Sequence, residues 1–198
     1  MATRCSGGRT DASSKPKPCA TPCSRPVVGS ICEWAVLATA GTLDLTMGGP
    51  GWQDFRVEHP EHSPHYRYDL ADPADRATWR RSVWRFVVRS QTQPFMTSLD
   101  CADPSMRVEK RTESLSAVQA LVLLNNGFMT TQAVELASRV AREAGDEPAA
   151  QVERAFRLAL GRAPAAEEAA ALVDLLRTHG LPSVCRALYN LNEFTFVD

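Results

Sequence analysis

The sequence predicts a mainly α-helical protein: a carboxy-terminal bundle of about five short antiparallel helices follows a loop-rich part with one or two short strands. Two observations lead to this fold class. Beyond residue 112, apolar residues recur at spacings of three and four, and glycines at 127, 145, 161 and 180 are placed to end helices. Prolines and histidines interrupt residues 58–65, where a long strand cannot continue. We therefore expect one domain over 31–198, with loops and short elements over 31–111 and the bundle over 112–198.

Residues 1–30 are predicted to be a disordered or unrelated leader. Four prolines lie there among Ser, Thr, Gly, Lys and Arg, and the segment has too little apolar surface to offset the entropy of ordering. It does not have the pattern of a secretory signal. Cys19 and Cys23 have the spacing C-x-x-x-C, but a zinc site needs a second pair of ligands, which this segment lacks.

The first predicted element is a short buried helix from Ile31 to Gly41, because an apolar run ends there at a glycine suited to a helix C-cap. The run Met47–Gly51 is then a loop. Rough alternation of Trp52, Phe55 and Val57 favours a short edge strand. Ser82–Arg89 is rich in aromatic and β-branched residues, which favours a second strand, with a buried helical turn as the alternative.

The bundle begins at Ser116, which forms a capping-box pattern with Gln119. The first helix should end at Asn125–Gly127, Asp146 should cap the third, and Pro164 suits the start of the fourth. The four later helices each carry an apolar stripe, made of Ala133, Leu136, Ala137, Val140, Ala141 and Ala144; Val152, Ala155, Phe156 and Ala159; Leu172, Leu175 and Leu176; and Val184, Ala187, Leu188 and Leu191.

Composition excludes two classes of partner. The formal net charge is −1, from 22 basic and 23 acidic residues, so no long-range field favours a phosphate backbone, and nucleic acid is not expected. No segment approaches the run of about 20 apolar residues that a membrane span requires. With neither a signal pattern nor a span, the sequence alone leaves the localisation of the chain unknown.

Three histidines form the first polar cluster that could bind a metal. His59, His62 and His65 recur every three residues, close to Asp54, Glu58, Glu61 and Asp69. Imidazole and carboxylate groups are ligands that zinc and similar metals accept, so His59, His62, His65 and Asp69 are the candidate metal ligands. The alternative is an exposed polar loop whose histidines bond to backbone, because Pro60 and Pro64 extend the chain.

A second polar cluster lies just before the bundle. Asp100 and Asp103 could pair with Arg111 and hold a loop against the first bundle helix, while Gln119 and Asn125 bond the loop backbone. The functional alternative makes Asp100 or Asp103 a catalytic acid or base, or Cys101 a nucleophile, although no histidine lies near in sequence to activate it.

Cys101 and Cys185 are the only cysteines in the predicted fold beyond its first helix, so an oxidising compartment could join them, and a reduced buried pair is equally consistent. Arg81, Arg85 and Arg89 would share one solvated face of the predicted strand. The tryptophans at 52, 79 and 84 are typical of a core or its rim, with carbohydrate contact as the alternative.

Seven ordered segments resemble one family, the planctomycete domain of unknown function DUF1553, from about Ala35 to the end of the chain. They are Asp44–Pro50, Pro60–Tyr66, Arg80–Trp84, Leu99–Ser105, Gln119–Asn125, Leu160–Pro164 and Asn190–Phe194. The resemblance implies a carboxy-terminal module of large extracytoplasmic or periplasmic proteins that carry cytochrome c-like modules upstream. It also makes His62 and His65 the preferred metal candidates, because both lie inside a family-like segment.

The chain departs from that family pattern before Trp34, which predicts a fragment or a misassigned start. No C-x-x-C-H motif occurs, so no haem is expected in this chain, while a divalent metal remains open. The sequence favours a non-catalytic accessory or interaction domain whose partners are upstream modules of the same or a related polypeptide. The alternative is a fragment of a metal-dependent hydrolytic or redox enzyme that uses the histidine loop.

Overall fold

The computed structural model describes residues 33–59, 63–100 and 116–195, and within them the protein is mainly helical, as predicted. Its elements are, in order, α1 (Glu33–Ala40), β1 (Arg56–Glu58), β2 (His65–Arg67), α2 (Pro94–Ser98), α3 (Ala117–Asn125), α4 (Gly127–Ala144), α5 (Pro148–Leu160), α6 (Ala166–His179), α7 (Leu181–Tyr189) and α8 (Asn192–Thr195). Residues 1–30 and the Cys19–Cys23 pair lie outside the described residues. Within those same ranges, no helix combines the length and apolar character needed to cross a membrane.

The sheet is one short antiparallel hairpin, in which Val57 of β1 pairs with Tyr66 of β2. The second predicted strand, Ser82–Arg89, is wrong. Residues Ser82–Trp84 form a 3₁₀ turn, and only Arg85 then makes an isolated parallel bridge, to Trp52. Aromatic and β-branched residues favour strands through cross-strand packing, and here the segment has a single bridging neighbour, so propensity alone does not extend it.

Helix α3 begins with the predicted capping box. The Ser116 hydroxyl accepts from the Gln119 backbone N–H at 3.2 Å, and the Gln119 side-chain oxygen accepts from the Ser116 backbone N–H at 3.1 Å. These bonds satisfy amide groups that have no partner within the helix.

Replacing Ser116 by alanine should therefore lower the free energy of unfolding by about 1 kcal/mol, because one first-turn amide loses its acceptor. Urea denaturation of Ser116→Ala measures this loss. Ser138→Ala on the exposed side of α4, where the hydroxyl only bonds back to Val134, is the control and should stay within about 0.5 kcal/mol of the parent. Equal stability of the two variants would contradict the capping role.

The core is centred on α4, which packs against α1, α5 and α7. Leu136, Val140, Phe156 and Leu188 are at most 1% exposed. The same cluster includes residues from the loop-rich part, namely Val36 and Ala40 of α1 and Phe95 and Leu99 near α2. Helix α1 and the bundle therefore share one hydrophobic core.

Polar side chains also tie α1 to the bundle. The Arg139 guanidinium donates from Nη1 to the carbonyl of Thr39 at 2.8 Å and to that of Ala38 at 3.3 Å, which satisfies the carboxyl end of α1. Thr42 donates its hydroxyl to Gln132 at 2.7 Å. The positioning of α1 matters because its first residue lies in the cleft described below.

Three helix boundaries differ from the sequence prediction. Gly127 begins α4 and does not end α3, because the Asn126 side chain accepts from the Phe128 N–H at 2.8 Å and starts the new helix. A Cβ atom at position 127 would lie 2.9 Å from Pro73, so glycine permits close contact with that loop. Asp146 does not cap α5, because Glu147 occupies the N-cap position. The side chain of Gln151, in the first turn of α5, donates to the Gly145 carbonyl. Helix α6 begins after Ala165, whose N–H is bound by Glu168 at 2.7 Å.

Candidate functional site

A cleft of about 430 Å³ lies where the loop-rich part meets α1, α2 and α4. Its apolar lining includes Trp52, Phe55, Phe95 and Phe128. Its charged lining, among the described residues, is five carboxylates and one arginine, namely Glu33, Asp54, Asp69, Asp72, Asp75 and Arg56. A concave site of this volume with an apolar wall and a few convergent polar groups has the character of a small-molecule site.

Glu33 is the most buried carboxyl group of the cleft. It is the first described residue of α1, is 8% exposed, and accepts at Oε2 from the Ser82 hydroxyl at 2.7 Å. Burial raises the pKa of Glu33, and the hydrogen bond from Ser82 and the charge of Arg85 only partly oppose that rise. The cleft therefore contains an acid that favours its neutral form more than an exposed glutamate does.

Asp54 lies beside Glu33 and forms an ion pair with Arg85. Asp54 Oδ2 is 3.6 Å from Arg85 Nη1, and the two side chains are 16% and 10% exposed. Burial raises the pKa of Asp54, and Arg85 partly offsets this. Asp54 Oδ1 and Arg85 Nη1 have no hydrogen-bond partner among the described residues, so the pair is close but not hydrogen-bonded.

The position of Arg85 corrects the sequence interpretation of a solvated arginine face. Arg81 and Arg89 are exposed, but Arg85 is turned inward. The turn at Ser82–Trp84 breaks the strand periodicity that would have put the three side chains on one face.

Three further carboxylates, Asp69, Asp72 and Asp75, form the exposed mouth of the cleft. Asp69 is held by Arg67 through two hydrogen bonds of 2.7 and 2.9 Å, which lower the pKa of Asp69. Asp72 and Asp75 accept backbone N–H groups two residues later, at 2.9 and 3.0 Å. These bonds fix the loop and leave the mouth negatively charged.

Aromatic rings form one wall. Phe55 contacts Tyr66 and Tyr68 edge to face, with ring centroids 5.2 and 5.5 Å apart. Trp52 donates its indole N–H to the Arg81 carbonyl at 3.4 Å and is 8% exposed. Trp79 is 3% exposed, so both tryptophans belong to the packed interior.

The sequence of this chain matches the model of one protein family. The model of the family described as "PSD1: Protein of unknown function (DUF1553)" matches residues 30–176. The chain belongs to the DUF1553 family. Neither the curated proteins nor the solved structures contain a match. The matched range includes every described residue that lines the cleft. It ends before Asn190–Phe194, the last of the segments that resemble the family.

In this DUF1553 domain, the histidine loop is described only in part. His59 directly follows β1 and His65 begins β2, and both are exposed, while His62 lies outside the described residues. Arg67 engages the neighbouring carboxylates, at 3.4 Å from Glu58 and 2.7 Å from Asp69. Within the described ranges, no three His, Cys, Asp or Glu side chains are grouped to hold a metal ion. The metal site stays a prediction.

The second predicted cluster is also incomplete, since Cys101, Asp103 and Arg111 lie outside the described residues. Asp100 ends the α2 region with a positive φ of 54° and accepts at Oδ2 from the Gln119 side chain at 2.8 Å. Asn125 donates to the Leu121 carbonyl and accepts from Arg186 at 3.2 Å. These bonds join α2, α3 and α7.

Cys185 is fully buried in α7, and burial raises its pKa to about 12. Such a thiol stays protonated at neutral pH and is a poor nucleophile. A disulfide with Cys101 stays a prediction, because Cys101 lies outside the described residues.

Of the candidate metal-binding and catalytic residues that the sequence singled out, Asp69 is the one described residue that lines the cleft; Trp52, a candidate for carbohydrate contact, lines it too. The sequence prediction included Asp54 only as a neighbour of the histidines and did not include Glu33. A signal for Glu33 was available: it is the sole charged residue in the apolar run 31–41. A buried charge needs a partner, but Ser82 and Arg85 are too distant in sequence to be recognised as that partner.

The burial of Glu33 predicts a pH effect on stability. Because its folded pKa is raised, the folded state binds more protons than the unfolded state above the ordinary pKa near 4.5. Its contribution is therefore favourable at low pH and is lost as pH rises through the folded pKa. Denaturation of the parent and Glu33→Gln between pH 4 and 8 should show the parent losing stability relative to the variant as pH rises. A constant difference between the two would contradict this assignment.

Proposed function

We propose that this chain is a non-catalytic binding module of a larger extracytoplasmic protein, and that its cleft holds a small ligand with positive charge. The observation that supports this most directly is the lining of the cleft, whose described charged residues are five carboxylates and Arg56; Arg85 and Arg67 pair with two of the carboxylates and leave an excess of negative charge. A concave surface with one dominant sign of charge concentrates ligands of the opposite sign.

The ligand chemistry that fits best is an alkylammonium group, as in a diamine or a lysine side chain. Its methylene chain can lie against the aromatic wall, and its charge can interact with both aromatic faces and carboxylates. The carboxylates of the cleft come from three parts of the chain, namely α1, the Trp52–Phe55 segment and the loop after β2. More than one carboxylate is therefore present for a ligand with two ammonium groups.

The role as a module of a larger protein is supported by exposed apolar side chains. Val118 and Leu121 of α3 are 64% and 58% exposed, and Val83, Phe86 and Val87 are also exposed in the loop-rich part. Such surfaces are typical of contacts with other domains. Upstream modules of the same polypeptide are the proposed partners, and planctomycete origin, cytochrome association and extracytoplasmic location are proposed from the family resemblance.

A titration with 1,5-diaminopentane, followed by two-dimensional NMR, tests the ligand site. We expect saturable shifts at Trp52, Tyr68 and Phe128, and none with pentanedioate, which has the same length and the opposite charge. Asp54→Asn should weaken the diamine about tenfold, whereas Asp146→Asn, at an exposed turn outside the cleft, should not. Absence of saturable binding below about 10 mM, or equal binding of the dicarboxylate, would overturn the proposal.

A second candidate function, metal binding by the histidine loop, has one supporting observation. His65 pairs with Glu58 across the hairpin and His59 follows Glu58, so both imidazoles lie at the same end of the hairpin. Metal-dependent hydrolysis or redox chemistry is the activity that this alternative would include. Carbohydrate contact at the tryptophans is a separate proposal and does not depend on the histidine loop.

Equilibrium dialysis against zinc tests that alternative. If the loop binds metal, we expect about one ion per chain, and the double variant His59→Ala, His65→Ala should lose it. His179→Ala, at the end of α6, is the matched control and should retain the ion. Zinc retained equally by the double variant would assign the ion to another place.

A further inference from the structure

We propose that a cation bound in the cleft displaces a proton from the Glu33–Asp54 pair, so that ligand affinity rises with pH. This inference rests on the proposed cation-binding function of the cleft. It concerns the regulation of that site and depends on two buried carboxyl groups that share one guanidinium.

The two acids lie near one positive charge, that of Arg85. Ser82 donates to Glu33 at 2.7 Å, and Arg85 lies 3.6 Å from Asp54. Arg85 acts electrostatically on both acids, and the two acids act on each other. If both carboxyl groups were ionised, this cluster would carry a net charge of −1 in a place largely removed from water, which is costly.

Among the residues that the structure describes, the other groups near the cluster do not supply the missing positive charge. Ser82 is neutral, and the Tyr68 phenol, from the turn after β2, has a raised pKa and is neutral near pH 7. The lining also includes Arg56 and three exposed aspartates, of which Asp69 is already bound to Arg67. The empty cleft therefore balances its buried charge by keeping a proton on the pair.

Two atoms of the cluster lack a hydrogen-bond partner. Asp54 Oδ1 and Arg85 Nη1 are buried and have no hydrogen-bond partner among the described residues. A buried carboxylate that accepts too few hydrogen bonds is costly in its ionised form, and this cost favours a proton on the pair.

An ammonium group near the pair changes this balance. A positive charge within about 4–6 Å favours the ionised form of a carboxyl group. The proton leaves the pair for solvent or buffer, and the ligand charge takes its place. By linkage, the association constant of the ligand then rises with pH. The rise is up to about tenfold per pH unit when one proton is released on binding. It ends at the pH at which the ligand-free protein has itself lost that proton.

Isothermal titration calorimetry with 1,5-diaminopentane between pH 5 and 8 tests the inference. At each pH the titration is repeated in two buffers that both hold that pH and whose ionisation enthalpies differ, so the difference in apparent binding enthalpy counts protons released. Both amines of the ligand remain protonated over this range. We expect release of up to one proton per ligand, largest at the lower pH values, with affinity rising in parallel.

Two variants assign the proton to the pair. Glu33→Gln leaves Asp54 alone with Arg85, a neutral pair, so release should disappear while the diamine still binds. Asp75→Asn, at the exposed mouth, should weaken binding and leave release unchanged. Asp54→Asn replaces Glu33→Gln if the latter does not fold, and it should also abolish release.

The possible results separate the inference from the function on which it rests. Binding of the diamine without proton release at any pH would overturn the inference and leave the cation site in place. Unchanged release in both Glu33→Gln and Asp54→Asn would also overturn it. No binding at all would overturn both proposals.

Discussion

Replacement of Leu136 by alanine should lower the free energy of unfolding by about 2–5 kcal/mol. Leu136 is 0% exposed and lies on α4, the helix that α1, α5 and α7 all contact. The substitution removes buried methyl groups and leaves a cavity between elements that cannot all move inward together. Chemical denaturation followed by circular dichroism measures the change.

Leu121→Ala is the matched control, because it makes the same substitution in a neighbouring helix. Leu121 is 58% exposed on α3, so its truncation should change stability by no more than about 0.5 kcal/mol. Similar losses in the two variants would mean that α4 is not the centre of the core.

Replacement of Arg85 by methionine should lower the free energy of unfolding by about 3 kcal/mol at pH 7, because Glu33 and Asp54 then remain buried without a positive charge. This expected loss is at the lower end of the range for breaking a buried ion pair, because Arg85 and Asp54 are 3.6 Å apart and the Asp54 side chain is 16% exposed. Urea denaturation at pH 7 and pH 4 measures it. The loss should shrink at pH 4, where both carboxyl groups become protonated.

Arg157→Met provides the control for an exposed pair. Arg157 bonds Glu153 one turn earlier on α5, and both side chains are more than half exposed, at 54% and 52%. Such pairs contribute about 0.5 kcal/mol or less, so this variant should stay close to the parent at both pH values. If Arg85→Met lost no more stability than Arg157→Met, the Arg85 guanidinium would not stabilise the buried Glu33 and Asp54.

The bundle could be predicted in detail because its information is local. The capping box at Ser116, the stripe through Leu136 and Val140, and the stop at Gly161, which has a left-handed φ of 74°, each depend on residues a few positions apart. Where a local signal had a competitor, prediction failed. Asp146 has the right chemistry for a cap, but Pro148 sets the start of α5 and Glu147 takes the cap position.

The candidate site was harder to predict because its partners are remote in sequence. Ser82 and Glu33 are 49 positions apart, and Arg85 lies 31 positions after Asp54. The regular spacing of the histidines is visible in the sequence, whereas the buried acids have no spacing pattern. The Ser82–Arg89 segment shows the same limit, since its composition favours a strand and its actual neighbours allow one bridge.

The sequence by itself determined that this DUF1553 domain is mainly helical, where most bundle helices begin and end, and which of their faces pack inward. Helix periodicity and capping act within one or two turns, so a local reading suffices. Only the tertiary structure decided that Glu33, Asp54 and Arg85 meet beside an aromatic cleft. Burial and charge pairing are properties of residues brought together by packing, and those determine the chemistry available to the cleft.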